Sequence, residues 1–214
     1  FEMKKEVLLV MDSIKENWDL IKETLKKEYD SLKKNYDNLL IAKVYYLNGD
    51  YEKAKEYFGK AAGVGPELDE NLGVCALLEG DYEKAADHFR RAIRRQTHDY
   101  TRPADCEAMY NLGLILKTQG KYAEAMDTLY RATWNFAYNS PANYQLAQMY
   151  SQVKDYQNAL IRLDEAIQNN GNNWNAVNLK ASILRAEGRQ AEAKALLEGI
   201  LAVDPLNFYT TYAL

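Results

Sequence analysis

The stretch Gly49-Asp50-Tyr51-Glu52-Lys53-Ala54 decides the fold, because the chain carries five copies of its pattern. Each copy has a turn residue, usually a tyrosine two positions later, and an alanine three positions after that. The copies begin at Gly49, Gly80, Gly120, Lys154 and Gly188, at spacings of 31, 40, 34 and 34 residues. A period of about 34 residues with these turns is typical of stacked helix-turn-helix repeats. The sequence therefore predicts an all-α protein, a right-handed superhelical α-solenoid.

Each repeat has the pattern of two amphipathic helices joined by a tight turn. In the second repeat the apolar residues of the later helix fall on one helical face. They are Tyr82, Ala85, Ala86, Phe89, Ala92 and Ile93. The alanines predict close contacts between helices, with the tyrosines and phenylalanines packed beside them. The glycines of the turns are expected to be left-handed, and Asp50, Asp81 and Asp155 are expected to cap the helices that follow.

The repeats divide the chain into an N-terminal segment and a repeat array. Residues 1–33 are predicted to form an extra N-terminal capping helix, and residues 34–214 to form five repeats. The expected repeat limits are about 34–65, 66–104, 105–139, 140–173 and 174–207, with a final helix truncated by the chain end. The N-terminal helix carries a narrow apolar stripe made of Val7, Met11, Ile14, Trp18, Ile21 and Leu25. This stripe either covers the open face of the first repeat or forms a coiled-coil contact with another chain.

The repeated phrases resemble those of tetratricopeptide repeat (TPR) proteins. Over residues 67–214 the chain is also similar to the C-terminal repeat region of a bacterial family, through five further phrases. These are Tyr110-Asn111-Leu112-Gly113-Leu114, Ala132-Thr133-Trp134-Asn135-Phe136, Tyr144-Gln145-Leu146-Ala147, Asn178-Leu179-Lys180-Ala181 and Asp204-Pro205-Leu206. Members of that family carry a large N-terminal domain of unknown function and are often encoded near carbohydrate-utilisation genes. The resemblance implies a non-catalytic accessory role linked to glycan metabolism, and it implies no catalytic residues.

Composition and charge exclude several classes of protein. The chain has 214 residues, of which 47% are hydrophobic, enough for a sizeable buried core. Its formal net charge of -4 argues against nucleic-acid binding, which selects a strongly basic surface. No apolar run is long enough to predict insertion into a membrane. Cys75 and Cys106 are too few for a disulfide framework, so the compartment stays open, with the cytoplasm favoured over the periplasm.

The sequence offers little catalytic chemistry. His88, His98 and Cys106 lack the paired spacing of a metal site, so we predict no metal and no cofactor. The chain contains neither a phosphate-binding glycine loop nor a Gly-x-Ser-x-Gly elbow. The protein is therefore predicted not to be an enzyme.

A ligand is expected in the concave groove formed by the first helix of each repeat. Residues one step of about 100° round the helix from the core stripe should face this groove. The predicted ligand-binding residues are Asn71, Tyr110, Asn111, Leu114, Lys117, Tyr144, Gln145, Gln148, Asn178 and Arg185. Side-chain amides suit the backbone of an extended peptide. Because the lining is nearly neutral, we expect the affinity to vary little with ionic strength.

A local positive cluster is a second candidate for contact with a partner. It consists of Arg90, Arg91, Arg94, Arg95 and Arg102. Residues four apart share a helical face, so these arginines form adjacent rows. The cluster either anchors an acidic partner or is an ordinary solvated face.

These observations predict a non-catalytic scaffold that binds a protein or peptide in its groove. The identity of the partner is left open, and other domains of a longer chain are further candidates. The alternative is an accessory module of a bacterial carbohydrate-processing system that contacts a glycan or a glycan enzyme. Trp174 lies among asparagines; it would stack on a sugar in that alternative and pack in the core otherwise.

Overall fold

A computed structural model describes residues 2–61, 65–99, 101–103 and 105–213 of the chain. These residues contain eleven α-helices and no strand, which confirms the all-α prediction. The helices are α1 (Glu2–Leu47), α2 (Tyr51–Lys60), α3 (Gly65–Leu78), α4 (Tyr82–Gln96), α5 (Glu107–Thr118), α6 (Tyr122–Ala132), α7 (Phe136–Gln152), α8 (Tyr156–Asn169), α9 (Trp174–Ala186), α10 (Gln190–Val203) and α11 (Phe208–Ala213). Within the described residues, none of them is both long enough and apolar enough to span a bilayer. The chain divides into two compact units, Phe1–Cys75 and Ala76–Leu214.

The first unit is built on α1 and α2, which pack against each other. Ala42 and Ala54 are fully buried, and the ring of Phe58 has no exposed surface. Leu68 and Cys75, both on α3, complete this core. The small alanines let the helix backbones approach, and the larger side chains fill the remaining space, as the repeat pattern predicts.

α1 is longer than the sequence analysis predicts. It is one helix of 46 residues, whereas the expected N-terminal helix covers residues 1–33 and is followed by the first repeat. Residues 2–47 contain neither glycine nor proline, so nothing ends the helix before the turn at Gly49. The first helix of the first repeat is therefore the C-terminal part of α1.

The apolar stripe of α1 is exposed where its side chains are described. Trp18, Ile21 and Leu25 are 57%, 48% and 58% exposed. This part of the stripe therefore covers no repeat within the first unit. The remaining stripe side chains, those of Val7, Met11 and Ile14, lie outside the described residues.

The second unit is a stack of helix pairs. α5 packs on α6, α7 on α8 and α9 on α10, while α7 also contacts both α5 and α9. Ala125 and Ala159 are fully buried in the second helices of two pairs, and Leu129 and Leu163 follow one turn later with no exposed surface. Burial of each such leucine stabilises the unit by roughly 1.5–3 kcal/mol.

The predicted turns and caps are confirmed. The backbone is left-handed at the four glycines, with φ of 78° at Gly49, 79° at Gly80, 73° at Gly120 and 81° at Gly188. The side chains of Asp50, Asp81 and Asp155 each accept a hydrogen bond from the backbone N–H three residues later. Local sequence therefore fixes where each second helix begins.

Lys154 occupies the left-handed position of the fourth turn, with φ 61°. A residue with a Cβ pays roughly 1–2 kcal/mol for this conformation. We expect Lys154→Gly to raise the free energy of unfolding by about 1 kcal/mol, because relief of strain outweighs the extra freedom of the unfolded chain. Urea denaturation followed by circular dichroism measures the change. The matched variant Gly120→Lys should be destabilised, and a Lys154→Gly protein less stable than wild type would contradict the assignment.

The tyrosines of the repeated phrase are less buried than predicted. Tyr51, Tyr82 and Tyr122 are 39%, 51% and 54% exposed. Each is the first residue of its helix, and a helix end has fewer neighbours than the middle of a helix. These three tyrosines are therefore only partly covered by the repeat, less than the packing predicted for them beside the alanines implies.

Candidate functional site

A hydrogen-bonded network of polar side chains joins α5 to α7 in the second unit. Nζ of Lys117, on α5, donates to Oε1 of Gln145 at 2.8 Å and to Oε1 of Gln148 at 2.7 Å. Nε2 of Gln148 donates in turn to the hydroxyl of Tyr144 at 2.8 Å. All four side chains are partly buried. The structure therefore brings together four of the predicted groove residues from two successive first helices.

Tyr110 extends the network along α5. It is hydrogen-bonded to Gln145, and its ring centroid lies 5.6 Å from that of Tyr138, which is absent from the predicted set. Burial raises the pKa of Tyr110 above its ordinary value, and the hydrogen bond with Gln145 opposes this by less. The hydroxyl is therefore protonated at neutral pH and can both donate and accept a hydrogen bond.

Lys117 is a half-buried cation between neutral partners. Both oxygens that accept from its Nζ belong to side-chain amides. Among the residues that the structure describes, no carboxylate oxygen lies within 4.0 Å of this nitrogen. Burial lowers the pKa of Lys117 below its ordinary value, since desolvation penalises the charged form. The network across α5 and α7 is thus neutral apart from one desolvated positive charge.

Two more predicted residues lie on the same helix as Lys117. Leu114 lines one cleft together with Lys117 and Gln145. Asn111 is partly buried on α5. The α5 side of the predicted groove therefore has an aromatic side chain at Tyr110, an apolar one at Leu114 and a positive charge at Lys117.

The remaining predicted residues are not part of this network. Asn178, on α9, accepts a hydrogen bond at Oδ1 from Oγ1 of Thr210 on α11 at 3.1 Å. Arg185 is partly buried further along α9. Asn71 is partly buried on α3 and belongs to the first unit. Their roles as ligand-binding residues stay predictions.

An apolar cleft adjoins the network, and the sequence analysis does not find it. The cleft has a volume of about 350 Å³ and is lined by Tyr122, Met126, Met149, Tyr150, Gln152, Val153 and Asp155. Tyr122 and Gln152 also line the cleft that contains Lys117, so the two clefts adjoin each other. The walls come from α6, α7 and the turn after α7. The stacking of successive pairs brings them together, and the repeat pattern of a single pair carries no signal for it.

Three of the clustered arginines line an open cleft at the end of α4. Arg91, Arg94 and Arg95 share this cleft with His98 and Asp99, which lie on the connection from α4 to α5. All three arginines are exposed. This connection contains the insertion that produces the 40-residue spacing between the second and third copies of the repeat phrase.

The other two arginines of the cluster make contacts within the second unit. Nη1 of Arg90 lies 3.2 Å from Oδ1 of Asp87. The guanidinium carbon of Arg102 lies 5.4 Å from the centroid of the Trp134 ring, as in a cation–π contact. The positive surface that a partner would meet is therefore smaller than the sequence suggests.

The histidines and Cys106 are placed separately. His88 is buried, and its Nδ1 lies 2.5 Å from Nη2 of Arg91. His98 is exposed, and its Nδ1 lies 2.8 Å from Oδ1 of Asp99. Burial raises the pKa of the Cys106 thiol, which disfavours the reactive thiolate. No group of three His, Cys, Asp or Glu side chains among the described residues is arranged to hold a metal ion.

Family models of the tetratricopeptide repeat match most of the repeat array. One matches residues 66–133, and a second matches residues 38–66 and 140–173. The chain is a tetratricopeptide repeat protein. No curated protein sequence matches it.

Several solved structures are similar to most of the chain. MamA superposes with a TM-score of 0.65 at 20% identity, over 77% of this chain and 95% of MamA. PilF from Pseudomonas aeruginosa superposes with a TM-score of 0.68 at 20% identity, over 79% of this chain and 76% of PilF. YrrB, a TPR protein with an unusual peptide-binding site, superposes with a TM-score of 0.64 at 16% identity, over 88% of this chain and 96% of YrrB. At these identities the similarity establishes the fold alone, and it confirms the predicted α-solenoid class.

Proposed function

We propose that this TPR protein is a non-catalytic scaffold whose second unit binds an extended segment of a protein partner. The observation that carries the proposal is the network of Lys117, Gln145, Gln148 and Tyr144 across α5 and α7. In a stack of helix pairs, a ligand that crosses successive first helices contacts every repeat that it passes. Partly buried polar side chains shared by two such helices are suited to hold it.

The chemistry of the lining favours a peptide. Side-chain amides offer both a donor and an acceptor, so they can match the N–H and C=O groups of an extended backbone. Tyr110 and Tyr144 add rigid aromatic surface with a polar end, which costs little conformational entropy on binding. YrrB shares the fold and has a peptide-binding site, which supports peptide binding by this chain. A segment from another domain of a longer chain would fit the proposal equally well.

The glycan alternative rests on the resemblance to the bacterial family and on Trp174, which lines a cleft together with six asparagine side chains. Trp174 packs against the buried core of α9 and α10, as the core interpretation of this residue predicts. None of the similar solved structures named above is described as binding a glycan. We therefore retain protein binding as the proposed function.

Selection from a random linear peptide library on the immobilised wild-type protein tests this proposal. We expect enriched peptides whose affinity, measured by fluorescence anisotropy, falls at least about tenfold in a Tyr110→Ala, Asn111→Ala, Tyr144→Ala variant, because aromatic anchors carry much of a peptide's binding energy. Circular dichroism and thermal melting confirm that this groove variant is folded.

The matched control is an Arg91→Ala, Arg94→Ala, Arg95→Ala variant. It should bind the same peptides with unchanged affinity, since these arginines line a different cleft. Failure to enrich any peptide would contradict the proposal. Strongly salt-dependent binding that survives in the groove variant and is lost in the arginine variant would move the site to α4.

A further inference from the structure

We infer that the groove selects a partner segment in which an acidic side chain lies within three residues of a large apolar one. This inference rests on the proposed function and names the chemistry that it recognises. It follows from two adjoining clefts of the second unit, one with a desolvated cation and one with an apolar wall.

The acidic preference comes from Lys117. An ammonium group has three N–H donors, and two of them are directed to the amide oxygens of Gln145 and Gln148. These two bonds fix Nζ in place but leave its charge without a counter-ion among the described residues, where no carboxylate comes within 4.0 Å. An aspartate or glutamate side chain of the ligand would accept the third N–H in a charge-assisted hydrogen bond.

Burial makes this charge more selective than a surface lysine. A partly buried ion pair is screened by salt less than an exposed pair. Part of the cost of removing the ammonium from water is already met in the free protein, so a carboxylate gains more from pairing with it. A neutral amide at the same position of the ligand would make the hydrogen bond without the charge interaction. Among the described residues, no arginine lines the cleft that contains Lys117 or the adjoining one, which favours a single carboxylate over a phosphate group.

The apolar preference comes from the adjoining cleft. Met126, Met149 and Val153 form its walls with two tyrosines, and Gln152 and Asp155 complete its lining. Val153 is 74% exposed. Methionine adapts its shape to different apolar groups. Tyr122 and Gln152 line both clefts, so one ligand can contact the two together. In an extended peptide, side chains two residues apart lie on the same side at about 7 Å, so a short segment can present an acidic and an apolar side chain to two adjoining clefts.

The peptides enriched on the wild-type protein test this inference. We expect Asp or Glu to be enriched within three residues of Leu, Ile, Met or Phe. Selection on Lys117→Met should lose the acidic enrichment and keep the apolar one. This substitution keeps an unbranched side chain of similar length, removes the charge and leaves no carboxylate unpaired.

Synthetic peptide pairs make the test quantitative. Replacement of the acidic residue by its amide should weaken binding to the wild-type protein about tenfold, as expected for a charge-assisted hydrogen bond. The acidic and amide peptides should bind Lys117→Met with equal affinity. Val153→Ser should weaken binding of the acidic peptide severalfold. It should not change the binding of a peptide in which alanine replaces the apolar residue.

The outcomes separate the two claims. Peptides that lose affinity in the Tyr110→Ala, Asn111→Ala, Tyr144→Ala variant, yet show no acidic preference or the same preference on Lys117→Met, would overturn the inference and leave the proposed function intact. Two outcomes would overturn both the inference and the proposed function. One is a set of peptides that bind the groove variant and Lys117→Met as tightly as the wild-type protein, and the other is a selection that enriches no peptide.

Discussion

Replacement of Ala125 by tryptophan is expected to lower the free energy of unfolding by about 3 kcal/mol or more. Ala125 lies on α6 with none of its surface exposed, in the helix that packs on both α5 and α7. Even small increases in side-chain volume at such a contact cost about 1–3 kcal/mol, because the surrounding side chains leave their preferred rotamers. An indole ring at this position must separate the helices. Native domains are stable by only about 5–15 kcal/mol, so partial loss of the fold is within reach.

Urea denaturation followed by circular dichroism measures this effect, and the same helix offers the control. Ala123 is exposed, so Ala123→Trp makes the same chemical change two residues earlier without entering the core. This control should stay within about 0.5 kcal/mol of wild type. Equal denaturation midpoints for the two variants would show that the repeat alanines do not mark helix contacts.

The helix pairs could be predicted from the sequence because their determinants are local. The left-handed residues at Gly80 and Gly120 and the cap at Asp81 act within a few residues. The alanine of each phrase then fixes which helical face is buried. The same local argument fails for Tyr82, which stands at the start of its helix and is half exposed. Helical periodicity gives the direction of a side chain but not the number of its neighbours at a helix end.

The groove could be predicted only in part. Stepping round α5 and α7 from the core stripe selects Lys117 and Gln148 and places Gln145 beside them, and the structure joins these three side chains by hydrogen bonds. The same step selects Asn178, whose partner Thr210 is 32 residues away on α11, and no repeat pattern predicts that contact. The apolar cleft lies between successive pairs, so its existence depends on how the pairs stack. That geometry is set by tertiary packing and is not encoded in any one repeat.

The extent of α1 shows a different limit. Repeat periodicity places a boundary near residue 33, but a helix ends only where the backbone or the solvent favours an end. Residues 2–47 contain no glycine or proline, and α1 passes through the expected boundary unbroken. The limits of a repeat and the ends of a helix are therefore separate predictions. Only the ends of a helix are marked by local residues such as glycine and proline.

Gly113→Ala and Gly199→Ala are expected to change stability in opposite directions, although both replace a glycine inside a helix. Alanine favours a helix over glycine by about 1 kcal/mol. At Gly199 an added Cβ meets no atom within 4 Å, so the free energy of unfolding should rise by up to about 1 kcal/mol. At Gly113 the added Cβ would lie 2.6 Å from Cγ of Leu129 and 2.8 Å from its Cδ2. The resulting overpacking, of up to about 3 kcal/mol, should outweigh the helix gain.

A double-mutant cycle assigns the effect at Gly113 to this contact. Leu129→Ala alone should cost about 2–5 kcal/mol, because Leu129 is fully buried and its removal leaves a cavity. In the Gly113→Ala protein the same change also relieves the clash, so its cost should fall by at least about 1 kcal/mol. Chemical denaturation of the four proteins measures the coupling. If the two changes are additive, or if Gly113→Ala is as stabilising as Gly199→Ala, then α5 and α6 do not approach each other at Gly113 as closely as the structure shows.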